Sequence, residues 1–158
     1  MTWQDLANCL GLADTGRGLG SATSPTYVRG VGTQVTSTVE YETDSLAQQI
    51  VTALSGNKFQ ACAQAAYASA VGRDAPSGGQ PGAVHVTPFD VPKQGQLTSA
   101  SQAMFTLVMG GGLNIPIVQQ FVIIVNGDAI IRMTFVSPVS PFPIDIQEPL
   151  IAHVVARA

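Results

Sequence analysis

Two cysteines, Cys9 and Cys62, are the residues of this chain that could carry the most specific chemistry. A cysteine can be a nucleophile, a metal ligand, a redox switch or one half of a disulfide. Cys62 lies in the segment FQACAQAAYASAV, several residues into a predicted helix and with no histidine close to it in the sequence. It therefore lacks the neighbouring base or helix N-terminus that would activate a thiol nucleophile.

The spacing of apolar residues places both cysteines on the apolar faces of predicted helices, and in a single domain two such faces meet the same core. We favour a disulfide, because the two Cβ atoms could then approach to the roughly 4 Å that this bond needs. The bond would close a loop of about fifty residues, stabilise the fold by about 3 to 4 kcal/mol and place the protein outside the cytoplasm. Two buried, inert thiols are the alternative.

The two histidines, His85 in a predicted strand and His153 in the last predicted helix, belong to no metal or catalytic motif. The chain contains neither HExxH nor CxxC, so we assign no metal ligand, no cofactor and no catalytic residue. A secreted cell-wall hydrolase, or another enzyme that uses His85 or His153 with an acidic neighbour, is the alternative function.

Glu40 and Glu42 share one face of a predicted strand, which we interpret as solvated edge charge rather than as a glycosidase pair.

A glycine-rich segment after a long predicted strand is the candidate for contact with a ligand or partner. Three consecutive glycines are followed by apolar residues, which predicts a mobile loop with an apolar tip. A plain flexible hairpin connection is the alternative interpretation. The candidate residues are Gly110, Gly111, Gly112, Leu113, Asn114 and Ile115.

The length of 158 residues predicts a single domain, residues 1 to 158, with a core large enough to fold without a metal. Charged residues make up 11% of the chain, less than half of the roughly 25% that is usual in soluble domains. The net charge is -3 and the seven basic residues are scattered, so nucleic acid is not a predicted partner. Apolar runs are far shorter than the roughly 20 residues of a membrane span, and we expect any leader or anchor to have been removed from this chain.

Hydrophobic periodicity predicts the order helix, strand, two helices, four strands, helix. The fold class is therefore α+β, with a mainly antiparallel, twisted sheet of about five strands flanked by helices. Residues 12–32 are predicted to be a flexible connection because they are rich in glycine, and residues 72–82 are predicted to be a polar loop.

Capping residues and polar positions define the predicted helices. Thr2 caps the first helix, and Ser45 followed by Gln48 forms a capping box that opens the second. On the third helix Cys62 lies on the buried face, so we expect Gln60 and Gln64 to face water.

The strongest local signal in the second half is Asn126-Gly127 between two apolar runs, which predicts a β-hairpin with a type I′ turn. A long strand is predicted to begin near Gln102. One face of these strands should hold the core, and the other should be mixed, either covered in part or left as a shallow binding surface. The core face would carry Phe105, Leu107, Phe121, Ile123, Ile131, Met133 and Phe135, and the mixed face Thr106, Val108, Gln120, Val122, Ile124, Arg132 and Thr134.

The layout of several motifs resembles a known group of proteins. These motifs are W-x-x-L-x-x-C-L-G near the start, SPTY, a helix with C-x-x-A, HVTPFDVP, and FVIIVNGDAIIRMTF before PFP and a helix. Together they resemble small secreted or lipid-anchored actinobacterial proteins, a group similar to the extracellular sensor domain of mycobacterial serine/threonine kinases and to lipoproteins with a PsbP-like fold. The resemblance implies an antiparallel sheet flanked by helices, export from the cell and a bridge between Cys9 and Cys62. It carries over no catalytic residue.

We therefore expect a non-catalytic, extracytoplasmic binding or sensing module of the cell envelope. Its partner would be an unidentified small molecule or protein of the envelope, and no transmembrane segment is predicted in the chain. The binding site would be the mixed face of the sheet or a groove beside the loop from Gly110 to Pro116.

Overall fold

The computed structural model describes residues 1–12, 18–30, 32–74 and 80–158, which form four helices and one antiparallel sheet. The helices are α1 (Trp3–Leu10), α2 (Asp44–Ser55), α3 (Phe59–Asp74) and α4 (Ile144–Val155). The strands are β1 (Gly20–Thr23), β2 (Tyr27–Arg29), β3 (Thr33–Tyr41), β4 (Gln80–Pro81), β5 (His85–Pro88), β6 (Leu97–Val108), β7 (Asn114–Asn126) and β8 (Ala129–Pro138). The predicted α+β class with an antiparallel sheet is confirmed.

The sheet has more strands than the predicted five, and the element order differs, because three short strands lie at its edges. β1 and β2 fall in residues 12–32, and β4 falls in residues 72–82, the two segments predicted as connections. Every residue of β1 and β2 is exposed, so neither strand has the apolar alternation that marks a half-buried strand. Residues 13–17, 31 and 75–79 of those two predicted connections lie outside the described residues.

Across the sheet the strands follow the order β1, β3, β8, β7, β6 and β4. β2 also pairs with β3, and β5 also pairs with β6, so each edge consists of two short strands. β6 begins at Leu97 rather than near Gln102, and its ladder with β7 continues to Val108 opposite Asn114. The long, doubly paired strands β3, β8, β7 and β6 form the centre of the sheet.

The hairpin between β7 and β8 is present, but its turn lies one residue later than predicted. Asn126 pairs with Ala129, so the turn residues are Gly127 and Asp128. Gly127 has a φ of 65° and Asp128 does not have a positive φ. That combination fits a type II′ turn, which needs positive φ only at its first central residue, rather than the predicted type I′ turn.

The position of this turn determines which side chains share a face of the sheet. A two-residue turn pairs odd positions of β7 with even positions of β8, so Ile123 lies opposite Arg132 and Val122 lies opposite Met133. The predicted core face, which combines Ile123 with Met133, is therefore wrong. A change of one residue in register moves every side chain of a strand to the other face.

Both faces of the central sheet are covered, which replaces the predicted contrast between a core face and a mixed face. The core beneath α1, α2 and α3 includes Leu6, Ile50, Leu54, Phe59, Cys62, Tyr67, Ala103, Phe121, Ile123, Val125 and Ile130. The core beneath α4 includes Ala100, Val122, Ile124, Ile131, Met133, Phe135, Phe142 and Ile151. The molecule thus has three layers, with the sheet between two layers of helix.

The predicted N-cap is correct for α1 and wrong for α2. Thr2 caps α1 as predicted. α2 begins earlier than predicted, and its cap is Thr43, whose hydroxyl accepts a hydrogen bond from the backbone N–H of Leu46 at 3.4 Å. The predicted capping box from Ser45 to Gln48 is wrong, because Ser45 already lies within the first turn of the helix.

The prediction that Gln60 and Gln64 face water is also wrong. The side-chain amide of Gln64 donates to the carbonyl oxygen of Val84 at 2.8 Å and accepts from the N–H of Val86 at 2.9 Å. Gln60 donates to the carbonyl oxygen of Val86 at 2.8 Å. These hydrogen bonds occupy backbone groups of β5, and of Val84 just before it, that an edge strand would otherwise leave unpaired.

Candidate functional site

The disulfide between Cys9 and Cys62 is present, with Cα atoms 5.5 Å apart. It joins the last turn of α1 to α3 and closes a segment of 53 positions. Cys62 is buried as predicted, whereas Cys9 is exposed, so only one half of the bridge lies in the core. Both sulfur atoms are committed to this bond, so neither cysteine is available as a nucleophile or metal ligand.

The predicted ligand loop from Gly110 to Ile115 is shorter than six residues. Asn114 and Ile115 belong to β7 and pair with β6. The turn itself comprises the first four residues of the segment and is closed by a hydrogen bond from the Met109 N–H to the Leu113 carbonyl oxygen at 2.8 Å. Leu113 is the apolar tip, with 60% of its surface exposed.

A cavity of about 310 Å³ lies near this hairpin, but none of the six predicted loop residues lines it. Its lining includes His85, Met104, Pro116 and Val139. The predicted groove beside the loop and the role of the loop in binding both stay predictions.

His85 and His153 are exposed and line different cavities. Within the described parts of the chain, neither imidazole forms a hydrogen bond or an ion pair, and no three potential metal ligands cluster together. These residues thus do not form the arrangement of base and carboxylate that a hydrolase of the predicted kind uses. The hydrolase alternative stays a prediction without an arrangement that favours it.

Glu40 and Arg132 form a partly buried ion pair, in place of the solvated edge charge that the sequence suggests. Glu40 lies on the internal strand β3, and Glu42 just after it is buried. The Arg132 guanidinium also lies 5.1 Å from the centroid of the Trp3 ring. Burial lowers the pKa of Arg132, and the charges of Glu40 and Glu42 oppose that shift. This cluster attaches α1 to the sheet, which is a structural role.

A cavity of about 470 Å³ lies between the second half of α4 and strands β1 and β3. It is lined by Ala22, Ser24, Tyr27, Ser37, Val39, Tyr41, Leu150, His153, Val154, Arg157 and Ala158. A second cavity of about 300 Å³ lies along the first half of α4 and is lined by Tyr27, Val28, Arg29, Thr33, Gln34, Val35, Phe142, Ile146 and Leu150. Tyr27 and Leu150 line both cavities, so the two adjoin at these side chains, and we call them together the α4 groove.

The two ends of the α4 groove differ in polarity. The end at the start of α4 is mainly apolar, with Val35, Phe142 and Ile146 among its lining residues. The end at the close of α4 contains His153 and Arg157 together with hydroxyl groups from the sheet. Among the described residues that line the groove, none is an aspartate or a glutamate.

A buried cluster of amide side chains holds α4 against the sheet. The Oε1 atom of Gln120 accepts hydrogen bonds from the backbone N–H of Phe142 at 3.1 Å and from Nε2 of Gln147 at 3.4 Å. Its Nε2 atom donates to Oε1 of Gln102 at 3.1 Å. Gln120 and Gln147 are almost completely buried, where directional hydrogen bonds are strong. They fix the rotation of α4, in which the partly buried Leu150 packs against the core beneath α4 and also lines the groove.

Sequence reasoning missed this groove, and α4 carries no clear signal for it. Gln147, Leu150, Ile151, Val154 and Val155 follow the spacing of one helix face, which is the pattern of a helix that covers a sheet. Leu150 and Val154 pack against the core beneath α4 but are only partly buried, and both also line the groove.

Comparison with known proteins adds no relative of this chain. No protein family matches it, no curated protein matches its sequence, and no solved structure matches its fold. The resemblance to mycobacterial sensor domains therefore stays a prediction. In the parts of the chain that the structure describes, no helix combines the length and the apolar character that crossing a membrane requires.

Proposed function

We propose that this protein is a non-catalytic, extracytoplasmic binding or sensing module of the cell envelope, and that the α4 groove is its ligand site. The observation that carries the proposal is the pair of adjoining cavities, about 470 and 300 Å³ in volume, between α4 and the strands β1, β2 and β3. Small-molecule sites are concave, mostly apolar and roughly 300 to 1,000 Å³ in volume. The α4 groove agrees with this description in size and in chemistry.

The exposure of Tyr27 supports the same site. Tyr27 lies where the two cavities meet and has 61% of its surface exposed. An exposed aromatic ring beside an apolar groove offers a large contact area and a hydroxyl group to a ligand. Binding in the groove would cover this ring.

The disulfide supports the extracytoplasmic part of the proposal, because disulfides persist in oxidising compartments and are rare in the cytosol. The resemblance to secreted and lipid-anchored proteins also supports an extracytoplasmic location.

Protein from an oxidising compartment, denatured without reductant and treated with iodoacetamide, should gain no mass until it is reduced. Two added groups before reduction would mean free thiols and would remove the main argument for export.

No described arrangement favours an enzyme, so the hydrolase alternative is not part of the proposal. The exposed tip at Leu113 is a second surface that a protein partner could contact. Replacement of Leu113 and Ile115 with serine distinguishes the two surfaces. It should weaken a partner that binds at the Leu113 tip and leave ligand binding in the α4 groove unchanged.

The direct test of the proposal is binding of a neutral apolar probe, N-phenyl-1-naphthylamine, whose fluorescence increases in apolar surroundings. Ala22 is an exposed residue that lines the groove from β1, so Ala22→Trp should fill the groove and weaken probe binding at least tenfold. Ala61→Trp places the same side chain at an exposed position of α3 and should leave binding unchanged.

A second variant, outside the edge strand, shows whether Ala22→Trp weakens binding only because it disturbs that strand. Leu150→Gln makes the wall of the groove polar at the junction of its two cavities and should weaken the probe as well. Circular dichroism and thermal unfolding confirm that each variant is folded. Binding that persists unchanged in folded Ala22→Trp and Leu150→Gln would show that the probe site, and hence the ligand site, lies elsewhere.

A further inference from the structure

We propose that the ligand of the α4 groove is a linear anionic amphiphile, a single alkyl chain of about 12 to 14 carbons with its negatively charged group beside Arg157 and His153. This inference rests on the proposed function and deepens it. It follows from the length of the groove, from the polarity of its two ends and from the sign of the charges along it.

The shape of the groove selects a linear molecule. Its two cavities follow each other along α4, from Ile146 in one cavity to Arg157 in the other. At a rise of 1.5 Å per residue, this part of the chain spans roughly 16 Å. An extended alkyl chain advances roughly 1.25 Å per bond, because its C–C bonds of about 1.5 Å follow a zigzag, so about 13 bonds match the groove.

The polarity of the groove sets the direction of the molecule. The alkyl chain would lie against Val35, Phe142 and Ile146, at the end beside the start of α4. The polar group would lie at the opposite end, where the larger cavity is lined by His153, Arg157 and the hydroxyl-bearing residues Ser24, Ser37 and Tyr41. The hydroxyls of Tyr41 and Ser24 already donate to main-chain oxygens, of Ala158 at 2.9 Å and of Pro25 at 3.0 Å. The nitrogen donors of Arg157 and His153 therefore remain for a ligand, beside the Ser37 hydroxyl.

The charges along the groove select an anion. No aspartate or glutamate is among the described lining residues, and within the described chain Arg157 has no ion-pair partner. α4 itself is acidic in its first half, at Asp145 and Glu148, and carries its basic groups toward its end. A planar guanidinium binds a carboxylate through two parallel hydrogen bonds.

The C-terminus of α4 opposes an anion only weakly. Its partial negative charge is about half an elementary charge and is screened at the protein surface, whereas a guanidinium in direct contact carries a full charge. Arg29 at the other end of the groove lies against a mainly apolar cavity, where its aliphatic stem can cover apolar surface while its charged group stays in water.

The test is displacement of N-phenyl-1-naphthylamine by tetradecanoate, tetradecanol and tetradecyltrimethylammonium, with the two charged amphiphiles below their micellar concentrations and tetradecanol below its solubility limit. Tetradecanoate should bind at least tenfold more tightly than the other two, and within a series of carboxylates affinity should rise with chain length and level off near the chain length that matches the groove. Arg157→Gln should remove the preference for the carboxylate. Arg29→Gln makes the same change of charge at the other end of the groove and should keep the preference.

The outcomes separate this inference from the proposed function. If all three amphiphiles bind equally, or if Arg29→Gln removes the preference and Arg157→Gln does not, the groove binds apolar ligands but the anionic head group is wrongly assigned. If the probe and all three amphiphiles fail to bind the folded protein, the proposed function fails as well. If tetradecanoate binds but a phospholipid with chains of this length does not compete, the ligand is a free fatty acid rather than a membrane lipid.

Discussion

Tyr27 and Leu150 both line each of the two cavities of the α4 groove, one from the edge strand β2 and the other from helix α4. The two residues are far apart in the sequence and come together because β2 pairs with β3 in the sheet, while α4 covers the face of the sheet on which Tyr27 lies. Gln120 and Gln147 fix α4 from beneath, whereas β2 is attached to the sheet only through β3. The width of the groove therefore depends on the position of an exposed edge strand.

The disulfide should contribute substantially to stability. The double variant Cys9→Ala/Cys62→Ala releases a constraint on 53 positions of the unfolded chain. Its free energy of unfolding should fall by about 3 to 4 kcal/mol in the chain-entropy treatment. Urea unfolding followed by circular dichroism measures this change, with reduced wild-type protein as the matched control. A loss of less than about 1 kcal/mol in both would contradict the account.

Stability should also fall at alkaline pH because of Tyr67. Its side chain is completely buried, and burial raises its pKa, while the nearby Ser101 hydroxyl opposes the shift only in part. The unfolded chain therefore loses the phenolic proton near pH 10 while the folded chain keeps it, so this contribution is complete below about pH 10 and is lost as the pH rises.

The Tyr67→Phe variant isolates this effect. Among the described residues none meets the Tyr67 hydroxyl with full hydrogen-bond geometry, although the Ser101 hydroxyl is near it, so at pH 7 the variant should be within about 1 kcal/mol of wild type. Between pH 9 and 11 its stability should fall less steeply than that of wild type, by up to about 1.4 kcal/mol per pH unit. Tyr27→Phe, at an exposed position, is the control and should keep the wild-type slope. Equal slopes for wild type and Tyr67→Phe would refute the assignment.

Gln64 should protect the edge of the sheet. In Gln64→Ala the Val84 carbonyl and the Val86 N–H lose their partners, which should lower the free energy of unfolding by about 1 to 3 kcal/mol. The Val86 amide should exchange its hydrogen at least tenfold faster, and the variant should self-associate more readily because an edge is open. Gln48→Ala changes an exposed residue of α2 and serves as the control. Unchanged exchange at Val86 would show that water or another group replaces Gln64.

Val139 should be a strained residue whose replacement stabilises the protein. It has a φ of 73°, and the Ser140 N–H donates to the Pro138 carbonyl oxygen at 2.9 Å, which forms a γ-turn around it. A β-branched residue rarely adopts this conformation. Because 74% of Val139 is exposed, Val139→Gly loses little burial and should raise the free energy of unfolding by about 1 kcal/mol. Val139→Ala should gain less, and a destabilised glycine variant would mean that the turn is not strained.

Local sequence patterns predicted the elements that form mainly through interactions between residues close together in the sequence. The cap at Thr2, the helix around Cys62 and the hairpin after Asn126 all follow from periodicity or from turn chemistry, and the structure contains them. The faces of β7 and β8 could not be assigned in the same way. Their assignment depends on whether the turn begins at Asn126 or Gly127, and an error of one residue exchanges the two faces.

Tertiary contacts decided the features that the sequence did not predict. Gln60 and Gln64 are polar residues on a helix, and only the position of β5 shows that they bind backbone groups rather than water. The α4 groove combines residues of three strands and one helix. Tyr27 gave no signal, because β2 is too short and too exposed to show the alternation of a strand.

The most direct test of the account is methyl NMR of the folded protein during titration with N-phenyl-1-naphthylamine. The aromatic rings of the probe shift the resonances of nearby methyl groups. The methyl groups of Leu150, Val154 and Val35 should shift with one common dissociation constant, while those of Leu54 in the opposite core should not. Shifts confined to Leu113 and Val139, or no shifts at all, would contradict the assignment of the α4 groove as the ligand site.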